Sequence, residues 1–263
     1  MAAIKGIEQF QRHFAGFEDQ YVLIGGVACH LWFQDNGLNF RATKDLDVVL
    51  VAEALTDEFV QQLWAFVKAG RYRRKERSDR ERRYYRFADP QDASFPHMIE
   101  LFSRLPGGLD IPTDQTVAPI PTNDDVSSLS AILLNEEYYQ LIREHRQVVE
   151  DLPLVTTEVL ISLKAKAWLD LTERRKNGEA VDSNHIAKHR SDVFRLALLL
   201  QGETKLMLPD TIAQDLKHFL DAFPADSPEW PAIRASLKAI NKFNLPGVVL
   251  REAIADAFNI SIE

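Results

Sequence analysis

Asp45 and Asp47 stand two residues apart at the head of an apolar run that continues through Val48, Val49, Leu50 and Val51. In a strand, alternate side chains leave the same face, and at a rise of ~3.3 Å per residue the two Cα atoms lie roughly 6.6 Å apart. Carboxylates so placed can share hard divalent cations such as Mg²⁺ or Mn²⁺, whose preferred ligand is oxygen. Two such ions held ~3.5 to 4 Å apart clamp the attacking and leaving oxygens of phosphoryl transfer. Upstream, Tyr21 to Ile24 is a short β-favouring run that stops at Gly25-Gly26, and Val27 to Phe33 continues with helical character. Glycines at a strand-to-helix turn let a phosphate approach the backbone, where the N–H groups of the helix's first turn point at it. Each feature has a plainer use, since aspartates solvate strand edges and Gly-Gly turns chains. Their order is what carries chemistry: strand, Gly25-Gly26, helix, Arg41-Ala42-Thr43-Lys44, Asp45-Leu46-Asp47, apolar strand.

The elements that must position these residues alternate over the first part of the chain. Ile4, Ile7, Phe10, Phe14 and Phe17 recur at helical spacing and predict an amphipathic helix over 4–17. Strands over 21–24 and 46–51 follow, then a helix over 57–68 with Phe59, Leu63, Trp64 and Val67 on one side. A hairpin with arms 71–76 and 82–87 turns near Ser78-Asp79, and His97 to Phe102 reads as a further strand. The Pro- and Gly-rich 106–121 reads as loop with at most one short edge strand. Beyond about residue 155 the pattern is helical. Thr156 or Thr157 caps a helix to Arg175, Ser183 another to Leu200, and more are expected over 210–222, 228–241 and 247–258. The expected fold is α/β (α+β): a mixed sheet with helices over 1–155, then a helical subdomain over 156–263.

Composition narrows the possibilities. Apolar residues make up 46% and charged residues 27%, ordinary for a globular chain and unlike a disordered or fibrous one. The single cysteine, Cys29, excludes an intramolecular disulfide and a cysteine-based zinc cluster, and fits a reducing cytoplasm. No apolar run reaches the ~18 to 20 residues of a membrane span, so a cytoplasmic protein without a membrane partner is expected. Net charge is −8, yet Lys68 to Phe87 holds ten Lys or Arg against three acids, which makes that segment +7 and the remainder −15. One basic element belongs to an otherwise acidic chain. His185 and His189 have the spacing of zinc ligands, but Ile186 stands where the metalloprotease motif needs glutamate, so they are expected at the surface. P-loop, dinucleotide and Gly-x-Ser-x-Gly motifs are absent from the sequence.

The stretch from 21 to 51 resembles the nucleotidyltransferase superfamily, the DNA polymerase β-like fold, and within it the bacterial nucleotidyltransferase toxins of the AbiEii type. That pattern is an apolar strand ending in Gly-Gly or Gly-Ser, a helix, then Arg-x-Thr/Ser-x-Asp-Ile/Leu-Asp. This chain carries Gly25, Gly26, Arg41, Thr43, Asp45 and Asp47 at those places. The resemblance implies Mg²⁺- or Mn²⁺-dependent transfer of an NMP from an NTP to an acceptor hydroxyl. Asp45 and Asp47 would be catalytic metal ligands, with Gly25, Gly26, Arg41 and Thr43 at the nucleotide. It also implies a third carboxylate from a later strand, as catalytic group and metal ligand. His97-Met98-Ile99-Glu100-Leu101-Phe102 offers Glu100, where the family more often has aspartate. The plainer reading of Glu100 is a solvated residue or a partner for Arg82 or Arg83.

In the related toxins a lysine on a later helix reaches the phosphates, and a further helix carries an aspartate. The Leu-Lys-x-x-Ala pattern puts Lys164 in the first role, ahead of Lys166, and Asp192 in the second; the plain alternative for Asp192 is a surface pair with Arg195. The helical subdomain would close over the nucleotide, and a cognate antitoxin would accompany a toxin. Nothing beyond about residue 205 carries the resemblance. The basic segment suggests an RNA acceptor, tRNA among them, with Arg71, Arg73, Lys75, Arg77 and Arg83 on phosphates and Tyr72, Tyr84 and Tyr85 stacking on bases. A protein or small-molecule acceptor, or a nucleotide-binding module without turnover, remain the alternatives.

Overall fold

The structure, a computed structural model, describes residues 4–41, 43–77, 83–104, 109, 118–119, 132, 135–200, 202, 205–238, 240 and 245–262. The chain divides into two compact units. One comprises residues 1–35, 40–122 and 142–155, the other 36–39, 123–141 and 156–263.

The first unit is built on one mixed sheet of eight strands: β1 (Tyr21–Ile24), β2 (Asp45–Leu50), β3 (Tyr72–Arg77), β4 (Arg83–Pro90), β5 (Met98–Ser103), β6 (Ala118–Pro119), β7 (Arg146–Val149) and β8 (Leu152–Val155). Their order is β6-β3-β4-β5-β2-β1-β8-β7, with β2 parallel to β5 and antiparallel to β1. The strands' period of two sorts their side chains. Leu46 and Val48 on β2, Ile99 and Leu101 on β5, and Tyr85 and Phe87 on β4 share one face, and none is more than 2% exposed. That face packs against α1 (Ile7–His13) and α3 (Asp57–Ala69). Phe10, Phe14, Tyr21, Phe59 and Phe66 form an aromatic cluster, and Trp64 meets Tyr85 and Phe87 edge-on. Burying one such side chain contributes about 1.5 to 3 kcal/mol, so this layer holds the sheet in place. Thr56 starts α3 by accepting a hydrogen bond from the Phe59 amide at 3.2 Å, with Asp57 and Glu58 in the first turn complementing the helix dipole.

α2 (Gly25–Asp35) begins directly at the end of β1, with no intervening turn residue. Gly25 makes the reversal possible because its φ is +68°, a region that costs other residues roughly 1 to 2 kcal/mol.

Three elements have no strong local signal in the sequence. β7 and β8 form a hairpin whose turn, Glu150-Asp151, holds both residues at positive φ (48° and 58°). Such turns usually announce themselves by Asn-Gly, and here no glycine does so. α4 (Glu136–Glu144) starts at Asn135, whose side chain accepts from the Glu137 amide at 2.8 Å. Elsewhere the boundaries move: α1 is shorter than the expected 4–17. Of 106–121, only Leu109 and β6 lie among the described residues.

The second unit contains α5 (Thr157–Lys176), α6 (Ser183–Leu196), α7 (Asp210–Asp221), α8 (Trp230–Leu237) and α9 (Gly247–Ala257). Asp182, rather than Ser183, caps α6 by accepting from the Asn184 amide at 2.8 Å. That helix ends at Leu196 and tightens into a 3₁₀ turn over Ala197–Leu199 instead of running to Leu200. Trp168, Phe194, Phe219, Phe223 and Trp230 interlock at the centre of this bundle. Among the described residues no helix is long and apolar enough to cross a membrane.

Candidate active site

The sequence motif becomes a physical cluster at the start of α2. A Cβ built on Gly25 would fall on the Asp47 carboxylate, so absence of a side chain is what lets Asp47 lie against the backbone. A Cβ on Gly26 would stand 2.5 Å from Thr43 Oγ1 and 3.8 Å from Arg41 Nη2. Gly25 and Gly26 therefore gather Asp47, Thr43 and Arg41 around the first turn of one helix, where amide N–H groups lack intrahelical acceptors. Asp47 is buried and Asp45, one pleat earlier on the same face, is half-buried. Both aspartates and Arg41 make polar or electrostatic interactions within the fold.

Glu100 enters the same face from the neighbouring strand, because the β2–β5 register sets it directly beside Asp47. Arg82 and the Arg83 side chain, its expected partners, lie outside the described residues. Glu100 Oε1 accepts from the Tyr84 hydroxyl and from Arg86 Nε and Nη2, at 3.1 and 3.0 Å for the two nitrogens. Burial, reinforced by the charge of Glu100, pushes the Tyr84 phenol well above its ordinary pKa, so it stays a donor. The donors on this face suit a hard cation: two carboxylates two residues apart and a third one strand away. Among the described residues no three His, Cys, Asp or Glu side chains already stand together as a ligand set, so the pair Asp45 and Asp47 is the part that fits Mg²⁺ as it stands.

His30, unremarked in the sequence, lies one turn beyond Gly26 on α2. It is buried, its ring hydrogen-bonds the Arg41 backbone, and Nδ1 is left without a partner. Burial lowers its pKa below the ordinary 6.5 despite that bond, so the imidazole is neutral near pH 7. Phe40 packs on Phe33 with ring centroids 5.0 Å apart, and the Arg41 guanidinium lies 5.1 Å from the Phe40 ring. Together these contacts tie the segment carrying Arg41 and Thr43 to the body of α2. Only its i+4 spacing from Gly26 marked His30 in advance.

In the second unit Lys164 is buried, and its side chain makes no hydrogen bond or ion pair among the described residues. Lys166, two positions on, is different: its Nζ is 2.9 Å from Asp215 Oδ1, and Asp215 also accepts from the Tyr138 hydroxyl at 3.0 Å. Asp192 is fully buried rather than at the surface, paired with Arg195 at 2.7 Å. His185 and His189 are half-buried, with enclosed Nδ1 atoms.

The basic hairpin forms, but its tyrosines cannot stack on bases. Tyr72, Tyr84 and Tyr85 are all buried, with hydroxyls engaged by Pro96, Glu100 and Leu109 respectively. An aromatic residue in a strand faces the core as readily as solvent, and only the sheet decides which. Arg71, Arg73 and Arg74 are exposed, whereas Arg86 is held inside by its carboxylates. The side chains of Arg77 and Arg83, and residues 78–82, lie outside the described residues.

No family model matches the chain, and no curated protein does. Among solved structures it is similar to an antigenic nucleotidyltransferase-like protein from Paracoccidioides brasiliensis. The TM-score is 0.39 and the identity 14%, over 90% of this chain and 96% of that one. A likeness at that level carries no argument about chemistry, which has to come from the site.

Proposed function

We propose that this chain is a nucleotidyltransferase that moves a nucleoside monophosphate from an NTP to an acceptor hydroxyl. The observation that carries the reading is the contact of the Asp47 carboxylate with Gly25, beside Thr43 and Arg41 over Gly26. A phosphate-approachable backbone and cation-binding carboxylates then occupy one corner of the fold. Asp45 and Asp47 would hold Mg²⁺, and a bound divalent cation neutralises triphosphate charge and polarises the phosphoryl oxygens. The amides of Gly25 and Gly26, the Thr43 hydroxyl and the Arg41 guanidinium orient the phosphates through charge-assisted hydrogen bonds. The acceptor oxygen bonds to the α-phosphorus, the bond from that phosphorus to the β-bridging oxygen breaks, and pyrophosphate departs with the electron pair. Glu100 receives the hydroxyl proton. Lys164 is assigned to the triphosphate, and Asp192 to the nucleotide through its pair with Arg195. Incubating the protein with each α-labelled NTP, Mg²⁺ and a cell extract should transfer label to one macromolecular or small-molecule species. Absence of transfer with all four NTPs in Mg²⁺ and in Mn²⁺ would favour a nucleotide-binding module instead.

For the acceptor, exposed Arg71, Arg73 and Arg74 support a polyanion, and RNA such as tRNA is the finer reading. With the tyrosines buried, binding would rest on charge. Six phosphate contacts along segment 68–87 give a slope of log affinity on log salt of about −4 for single-stranded RNA. A protein that retains no RNA at 50 mM salt has a protein or small hydroxylated acceptor. An AbiEii-type toxin role with a cognate antitoxin rests on the motif resemblance alone.

A further inference from the structure

One row of the sheet is charged from strand to strand. Asp47, Glu100, Arg86 and Glu76 are direct register partners on β2, β5, β4 and β3, so all four side chains leave the same face. Arg86 sits between two glutamates. On one side its Nε and Nη2 take Glu100 Oε1, which also receives the Tyr84 hydroxyl, so three donors fill an oxygen that has two lone pairs. On the other side Nη1 lies 3.7 Å from Glu76 Oε2, an enclosed oxygen with no hydrogen bond of its own. The side chains of Arg86, Glu76 and Glu100 are 13%, 10% and 12% exposed, a setting in which an ion pair is screened little and a lone charge is costly. Glu100 Oε2 receives no donor among the described residues.

We propose that Arg86 is a positioning residue that divides the carboxylates of this face between two tasks, holding Glu100 by Oε1 outside the cation's coordination and leaving Asp45 and Asp47 as its ligands. Glu100 Oε2 is then the oxygen available for the acceptor's proton. Glu76, behind Arg86, keeps the guanidinium from swinging toward the phosphates. This rests on the nucleotidyltransferase reading and adds to it a competition: Arg86 and the cation want the same carboxylate. It also accounts for why, among the described residues, Asp45, Asp47 and Glu100 share a face without gathering into one ligand cluster.

The test is Mn²⁺ binding to the full chain, without nucleotide, by electron paramagnetic resonance or calorimetry. Glu100→Gln alone should change Mn²⁺ affinity by less than about threefold, the effect of a nearby charge rather than a ligand. Arg86→Met combined with Glu76→Gln removes one positive and one negative charge, so the row's net charge is unchanged. Mn²⁺ should nevertheless bind about tenfold tighter, because Glu100 is released to join it. Adding Glu100→Gln to that pair should erase the gain, a coupling that a purely structural Arg86 would not show. In turnover, the Arg86→Met/Glu76→Gln protein should lose kcat about tenfold with the KM for NTP little altered. Arg86→Lys, keeping charge without the fork, should recover part of the loss. Tyr84→Phe removes one donor from Oε1 without stranding a charge. It should tighten Mn²⁺ in the same direction by a smaller factor, and it decides the matter if the double variant does not fold.

Glu100→Gln weakening Mn²⁺ tenfold would make Glu100 a ligand and overturn the proposal. Unchanged Mn²⁺ affinity in both Tyr84→Phe and the double variant would overturn it too. A parent protein that binds Mn²⁺ nowhere would instead overturn the metal-site reading beneath it.

Discussion

Asp47 and Val48 are chain neighbours, as are Glu100 and Leu101, yet they belong to opposite halves of the protein's economy. Val48 and Leu101 turn to α1 and α3 and sit in an apolar layer with Tyr85, Phe87 and Trp64. Asp47 and Glu100 turn the other way, to Gly25, Arg86 and Tyr84. A repeat of two residues thus separates what holds the sheet together from what the sheet presents. Apolar burial on one face supplies the stability that lets the other hold like charges close to one another.

That separation is sharpest in a paired substitution. Asp47→Asn keeps the shape and removes the charge, so turnover should fall by more than about a hundredfold, beyond what partners of metal ligands contribute, with the melting temperature near the parent's. Leu101→Ala should do the reverse, losing about 2 to 5 kcal/mol of stability in urea titration while kcat per folded molecule holds. If Leu101→Ala lost kcat as heavily as Asp47→Asn, the two faces would not be functionally separate.

Gly25 sits where the two roles meet. Gly25→Ala places a residue at φ +68° and drives its Cβ into the Asp47 carboxylate. Both stability, by about 1 to 3 kcal/mol, and turnover should fall, read from the same melts and kinetics. At Gly26 the obstacle is the Thr43 hydroxyl, the end of a side chain that can rotate, so Gly26→Ala should cost nucleotide affinity more than stability. Equal and small effects at both glycines would leave the cradle without a role.

A smaller contrast lies in the helical unit. Lys164→Ala should weaken NTP binding by about 1.5 to 3 kcal/mol in calorimetry, the worth of a charge-assisted contact. Lys166→Ala should leave it nearly unchanged and cost up to about 1 kcal/mol of stability, since its partner is Asp215. A larger loss of NTP affinity at Lys166 would reverse the assignment.

Local signals made much of the frame legible. The helical repeat of Phe59, Leu63 and Val67, the apolar run after Asp47, and the Arg-rich arms of β3 and β4 all formed elements near their expected places. The β7–β8 hairpin escaped because Glu150-Asp151 adopts a left-handed turn without the residues that usually favour one. Aromatic residues beside arginines read as a nucleic-acid surface, whereas packing on Phe87, Phe102 and Trp64 buries Tyr72, Tyr84 and Tyr85 respectively. His30 carries no sequence signal beyond its i+4 spacing from Gly26, which any helical residue at that place would share.

By itself the sequence determined which residues could do chemistry and in what order they occur: Gly25-Gly26 before a helix, Arg41 and Thr43 before Asp45 and Asp47, and an alternation that put both aspartates on one side of a strand. These depend on dihedral preference and on the two-residue period, which act over a few positions. Partnership was left to the tertiary structure. Glu100 meets Arg86 because the β4–β5 register sets them opposite one another. Lys166 meets Asp215 forty-nine residues away because α5 packs on α7. Opposite charges attract without regard to sequence distance, so which of many acids and bases pair is decided only when apolar packing fixes the register of the strands and the faces of the helices.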